Sequence, residues 1–200
     1  MGEHYFSKNP QSKSDRTIWN TTLRGHTLTF TTDIGVFSKE RIDFGSRLLI
    51  ESFTEPTAPG KILDLGCGYG PVGLAIAASF PQRKIIMSDI NERAISLATH
   101  NAHHNKLKNV EVRNSDRFTQ IPECFAAILL NPPIRAGKAI VHQMFTESYQ
   151  ALNQAGEFWI VIQKKQGAPS ARKKLRELFQ KVEVVQRSKG YYVYKSIKLD

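Results

Sequence analysis

Asn131-Pro132-Pro133-Ile134 follows directly on the apolar run from Phe125 to Leu130. The Asn131 side-chain oxygen and the Pro132 carbonyl make a pair of hydrogen-bond acceptors. The two prolines stiffen the turn that carries them, since each ring locks φ at about −65° and Pro133 restricts the residue before it. Two prealigned acceptors suit a group with two N–H bonds, such as an exocyclic amine or amide whose lone pair is delocalised into a π system. Accepting from both N–H groups pulls that nitrogen toward a tetrahedral shape and aims its lone pair at an electrophilic carbon. Positioning then matters more than strong base chemistry.

A second segment, Ile62-Leu63-Asp64-Leu65-Gly66-Cys67-Gly68-Tyr69-Gly70, reads as a strand running into a glycine loop. Without Cβ atoms, Gly66, Gly68 and Gly70 permit positive φ and close approach of backbone to a ligand. Pro71 suits a first helical turn, where its missing N–H is not needed. Ligands of open α/β sheets bind beyond the carboxyl ends of the strands. Asp64, Asp89 and Asn114-Ser115-Asp116 all fall at such ends, and Asp89 can accept from vicinal ribose hydroxyls. Gly68-x-Gly70-x-x-Gly73 also satisfies the dinucleotide fingerprint, so a nicotinamide oxidoreductase is a second reading. It leaves Asp64, Asp116 and Asn131-Pro132-Pro133 without a role.

The elements that must hold these residues alternate. Strands are expected near Lys61–Leu65, Lys84–Ser88, Val110–Asn114, Phe125–Leu130 and Glu157–Ile162, with helices near Pro71–Phe80, Arg93–Asn105 and Lys138–Leu152 between them. That order demands a parallel sheet with helices on both faces. A further helix at Ser170–Phe179 precedes strands at Val182–Gln186 and Tyr191–Lys195, joined through Ser188-Lys189-Gly190 as an antiparallel hairpin. The expectation is an α/β, doubly wound, mostly parallel seven-stranded sheet with an antiparallel terminal strand. Trp19–Leu23 and His26–Thr31 suggest another hairpin, and Asp43–Phe53 a helix. Residues 1–55 then form a cap belonging to the same domain as the core at 56–200, joined through the Pro-rich stretch Glu55 to Gly60.

Charge adds a class of partner. The net charge is +10 over 200 residues, and from Val161 to Asp200 eleven Lys or Arg face three acids, which places +8 there. Such a face attracts polyanions, and phosphate contacts supply much of a nucleic-acid affinity. Arg135, Lys138, Lys164 and Lys165, which follow the fourth and fifth core strands, are candidates to hold phosphates. Cys67 and Cys124 are expected as buried reduced thiols, and His100, His103 and His104 as a polar helix face, so no metal is expected. No apolar run reaches membrane length. The expectation is a soluble cytoplasmic protein, monomer or homodimer.

Leu63-Asp64-x-Gly66-x-Gly68-x-Gly70 resembles the first motif of class I S-adenosylmethionine-dependent methyltransferases, and Asn131-Pro132-Pro133 resembles the [N/D/S]-P-P-[F/Y/W] motif of their amino-methylating members. With Phe30-Thr31-Thr32-Asp33-x-Gly35-Val36-Phe37-Ser38, the chain from about Phe30 onward is similar to the catalytic domain of the small-subunit rRNA guanine-N2 methyltransferase family. The resemblance implies a Rossmann-like core and S-adenosylmethionine as cofactor, held by Gly35, Phe37, Asp64, Gly66, Cys67, Gly68, Gly70, Asp89, Ile90, Ser115, Asp116 and Asn131. It implies an RNA substrate, most simply guanine N2 in small-subunit rRNA, with adenine N6 and protein glutamine as alternatives. Asn131, Pro132, Pro133 and Ile134 are its catalytic segment. Ile134 replaces the aromatic that stacks on a flipped base, a contact worth about 1–3 kcal/mol. Phe37 is the first candidate to replace it, then Trp19 or Trp159. Fuller members carry a second, degenerate copy of the fold that this sequence does not show.

Overall fold

The computed structural model describes residues 15–34 and 42–199. Strands β1 (Thr17–Leu23) and β2 (His26–Thr32) form an antiparallel pair. Arg24 and Gly25 turn the chain at φ 49° and 79°, the left-handed values that let a two-residue turn follow the twist of its strands. Helix α1 (Phe44–Ser52) opens on Asp43, whose carboxylate accepts from Ser46 N at 2.9 Å, so one backbone donor of the first turn is satisfied.

Seven strands make the main sheet. They are β3 (Ile62–Leu65), β4 (Ile85–Asp89), β5 (Val110–Asn114), β6 (Phe125–Leu130), β7 (Leu152–Gln163), β8 (Lys181–Ser188) and β9 (Tyr191–Ile197), in the order β5-β4-β3-β6-β7-β9-β8. β9 runs antiparallel to both neighbours, so the reversed strand lies one in from the edge. Because the chain leaves β3 toward β4 and later returns to its other side with β6, a crevice opens between the carboxyl ends of β3 and β6.

Alternation along the strands serves two cores. Ile62, Ala127, Leu129 and Trp159 face α1, α2 (Pro71–Ser79) and α3 (Glu92–His104). Leu63, Ile128, Leu130 and Phe158 face α4 (Lys138–Gln150) and α5 (Ala168–Leu178). Period-two burial on both faces is why β3 and β6 read as unbroken apolar runs. Asn101, fully buried on α3, donates to the carbonyls of Thr31 (3.0 Å) and Tyr69 (2.9 Å) and accepts from Thr31 N (2.8 Å). One side chain thereby ties the amino-terminal hairpin to the glycine loop. Arg83 clasps the Pro-rich segment, donating to the carbonyls of Pro56 (2.8 Å), Ala58 and Gly60 (both 3.1 Å).

The expected helix through Leu152 ends at Gln150, and β7 begins ten residues before the expected core of the strand closes, at Leu152. Phe125 pairs with Leu152 and Ala127 with Glu157, so the intervening residues bulge, with Ala155 at φ 60°. Backbone pairing with β6 wins over the helical pattern there. His100, His103 and His104 lie on the exposed face of α3.

Candidate functional site

The strand ends converge on a cavity of about 330 Å³. Its floor is the loop after β3. Gly66 and Gly68 have φ of 74° and 56°, and a Cβ on either would meet nothing within 4 Å, because both face open space. The amides of Gly66 and Cys67 donate to the Ser88 carbonyl at 2.8 and 2.9 Å, and Gly68 N donates to Asp89 Oδ2 at 2.9 Å, which pins the loop against β4. Gly70, at φ 99°, delivers the chain into α2. Gly73, the last glycine of the dinucleotide pattern, serves packing. A Cβ there would run into Met87 of β4.

Asp64 is buried at the end of β3 and accepts from Gly73 N at 2.8 Å. No cation pairs with it among the described residues. Burial pushes its carboxyl up to about 7, the Gly73 amide opposes this, and the charge of Asp89 adds to it. Asp89 is also raised by burial, against the backbone amides of Asn91, Gly68 and Ile90. Cys67 is buried and its thiol is held well above its ordinary range by burial and by both carboxylates. Ser88 Oγ and Tyr69 Oη, of two residues that line the cavity, are buried without a hydrogen-bond partner among the described residues. Ile90, Ser115 and Asp116 continue the wall, and the exposed Asp116 meets Arg117 at 3.3 Å. A cationic ligand with ring hydroxyls fits this donor set, because buried acids without a counter-ion and orphaned hydroxyls gain most from such a partner.

Asn131 and Pro132 close the other side. Asn131 Nδ2 donates to Ser46 Oγ at 3.0 Å and lies 3.4 Å from Asp43 Oδ1, a weaker contact. A flipped amide would set its oxygen against that carboxylate. The Nδ2 end is therefore fixed toward α1, and Oδ1 accepts no hydrogen bond among the described residues. The Pro132 carbonyl accepts none either. Asn131 and Pro132 both line the cavity, and neither oxygen is engaged among the described residues.

The remaining placements differ in part from the sequence reading. Ile134 lies in a 3-10 turn (Ile134–Ala136) and packs against the core beneath α4 instead of lining the cavity. The apolar wall is made by Ala136, Ile140 and Met144. The reason is geometric: Pro133 turns the chain so that the residue after it points back to the sheet and the next helix faces the pocket. Trp19 packs on Phe30 and Tyr69, and Trp159 on Phe53, so neither indole reaches the site. Gly35 and Phe37 lie outside the described residues. Arg135, Lys138, Lys164 and Lys165 are exposed and make no ion pair among the described residues.

Asp43 and Ser46 were not legible as site residues, because a helix cap 85 to 88 residues from Asn131 carries no local signal of that contact. Ile140 had one: it is a large apolar residue exposed by 41% at the start of an otherwise amphipathic helix.

The chain matches the family model described as methyltransferase small domain over residues 27–195. It is 55% identical to the Bacillus subtilis (strain 168) protein named "Uncharacterized protein YbxB" over the whole length of both. It is 34% identical to ribosomal RNA small subunit methyltransferase C of Actinobacillus pleuropneumoniae over 80% of this chain and 49% of that relative. The chain thus spans about half the length of that curated rRNA methyltransferase. The structure superposes with a TM-score of 0.80 on a T. thermophilus 16S rRNA N2 methyltransferase in complex with AdoMet and guanosine, at 23% identity, over 94% of this chain and 52% of that one.

Proposed function

The chain belongs to the methyltransferase small domain family, and from that premise we propose that it methylates an exocyclic amino nitrogen of a nucleobase, guanine N2 in small-subunit rRNA. Its cofactor is S-adenosylmethionine, and the cavity fits it: uncompensated Asp64, two orphaned hydroxyls and an open glycine floor match a cationic nucleoside. When bound, the cofactor supplies an electrophilic methyl group on a sulfonium.

The chain's own residues do the rest by placement. The glycine loop and Asp64 hold the amino-acid end, Asp89 the ribose, and Ser115 and Asp116 the base side. Asn131 Oδ1 and the Pro132 carbonyl accept the two N–H groups of the substrate amine, so its lone pair projects away from both. The N–CH3 bond would form as the S–CH3 bond breaks and the sulfonium leaves as a neutral thioether; the proton that the methylated nitrogen then sheds passes to solvent, so neither acceptor has to act as a general base. Ala136, Ile140 and Met144 give the substrate base an apolar wall in place of an aromatic stacker. Arg135, Lys138, Lys164 and Lys165 hold phosphates around the mouth and fix register without reading bases.

The observation that carries this reading is the Asn131 amide at the cavity, whose nitrogen is held by Ser46 while its oxygen has no hydrogen-bond partner among the described residues. Nucleoside mass spectrometry of rRNA from cells with and without the protein is the test. Loss of N2-methylguanosine from small-subunit rRNA is expected. Loss of N6-methyladenosine instead would move the target to adenine, and an unchanged nucleoside profile would sink the proposal.

A further inference from the structure

Three arginines outside the cavity are left without an acidic partner among the described residues. Arg172 and Arg176 stand one turn apart on α5, which packs over β8 and β9, and Arg187 sits on β8. Among the described residues none of them makes an ion pair or a hydrogen bond, and Arg172 Nε is buried without any acceptor. The neighbouring acids are already engaged: Glu177 with Lys174 at 3.7 Å, and Glu183 with Lys181 at 2.9 Å.

The Arg187 guanidinium lies over an aromatic pair that shares a hydrophobic cluster with α5, the helix that carries Arg172 and Arg176. The Arg187 guanidinium lies 5.2 Å from the Tyr192 ring centre, and Tyr192 stacks on Tyr194 at 5.9 Å with 10° between the planes. Arg172, Arg187 and Arg176 all act on the Tyr194 phenol, where they oppose the upward push of burial. Like charges gathered without a carboxylate repel one another, so the cluster is most stable with an anion between them. Planar forks of donors match phosphate oxygens bidentately.

Its place in the sheet links it to the site. Arg187 pairs in register with Tyr192, and Tyr192 with Ile162, next to the end of β7. From there Lys164 N donates to the Gly190 carbonyl at 2.7 Å, joining Lys164-Lys165 to the β8–β9 turn. The cations therefore run along one sheet edge from β6 past β7 to β8, three strand spacings or about 14 Å.

We propose that Arg172, Arg176 and Arg187 form a second phosphate-binding site that holds the RNA backbone flanking the target nucleotide. The inference rests on the RNA reading above. The cluster uses no base edge, so it adds affinity and orientation without sequence preference.

The test is binding of a bacterial small-subunit rRNA transcript at a series of salt concentrations by the wild-type protein, by Arg172→Gln/Arg176→Gln/Arg187→Gln, and by the more conservative Arg176→Gln and Arg187→Lys. Calorimetric binding of S-adenosylhomocysteine checks that each variant is folded. Each phosphate contact removed lowers the slope of log affinity against log salt by about 1, so the triple variant should lose about 2–3. Arg176→Gln should lose about 1, and Arg187→Lys should keep its slope. An unchanged slope in a triple variant that still binds S-adenosylhomocysteine would overturn the site while leaving the methyltransferase reading intact. A wild-type protein that binds no rRNA at any salt would overturn both. If the triple variant does not fold, an unchanged slope for Arg176→Gln alone overturns the site.

Discussion

At Asn131, what decides the chemistry is which end of the amide faces the cavity. Ser46 Oγ at 3.0 Å and Asp43 Oδ1 at 3.4 Å hold the nitrogen end, which in the proposed mechanism leaves the oxygen to accept from the substrate amine. Asn131→Ala is expected to lower kcat by about 10²-fold or more, the scale of losing one prealigned polar contact at the reacting group, with S-adenosylhomocysteine affinity changed far less. Ser46→Ala should lower kcat by a smaller factor, about 10-fold for the loss of one hydrogen bond near 1.4 kcal/mol, and Ser46→Thr should restore it. Equal losses in KM and kcat across the pair would remove the acceptor role. Asp64 gives a pH prediction. Its folded value of about 7 lies above the 3.8 of an exposed aspartate, so the folded state keeps this proton longer than the unfolded chain. The contribution to stability is therefore full below about pH 4 and is lost as pH rises toward 7. Glu111 and Glu123, lowered to about 2 by Arg113, act with the opposite sign below this window. Cofactor-free melting temperature should fall between about pH 5 and 7, and Asp64→Asn should flatten that fall. An identical pH slope in the variant would refute the assignment.

Among the elements, the join of β3, its glycine loop and α2 is the tightest. Gly73 N caps Asp64, and a Cβ at Gly73 would collide with Met87 Sδ and Cγ. Gly73→Ala is expected to destabilise by about 1–3 kcal/mol through overpacking, read as a drop in melting temperature of roughly 2–4 °C per kcal/mol. A combined Gly73→Ala/Met87→Ala variant should recover part of the loss that Gly73→Ala causes relative to Met87→Ala alone. The β3, β4 and β6 boundaries were legible because buried parallel strands are short apolar runs ended by glycine, aspartate or proline. The β7 start was not, since Leu152 to Gly156 has a helix-compatible sequence and pairs only because β6 lies beside it.

For the whole molecule, the +10 charge acquires direction from the sheet. Arg135 and Lys138 leave the end of β6, and Lys164 and Lys165 the end of β7, so all four cations fall on the edge where the cavity opens. Arg135→Gln/Lys138→Gln should raise KM for rRNA with little change in kcat, and the effect should shrink as salt increases. A drop in kcat at saturating RNA would place these residues in the chemistry instead of in substrate capture. Asn101 and Arg83 have a matching global role, since their side chains join the hairpin and the Pro-rich segment to the core by donating to backbone carbonyls.

Local sequence determined the alternation of strands and helices, the glycine loop, the acids at strand ends and the Asn131-Pro132-Pro133 turn after β6, because each is set by contiguous residues and their periodicity. Tertiary structure alone decided that Ile134 packs half-buried against the core while Ile140 and Met144 wall the pocket. It also brought Asp43 and Ser46 to Asn131, and laid Arg187 over Tyr192 beside the helix that carries Arg172 and Arg176. Those contacts join residues up to 88 positions apart, and the packing of one element over another, which no local pattern encodes, is what creates them.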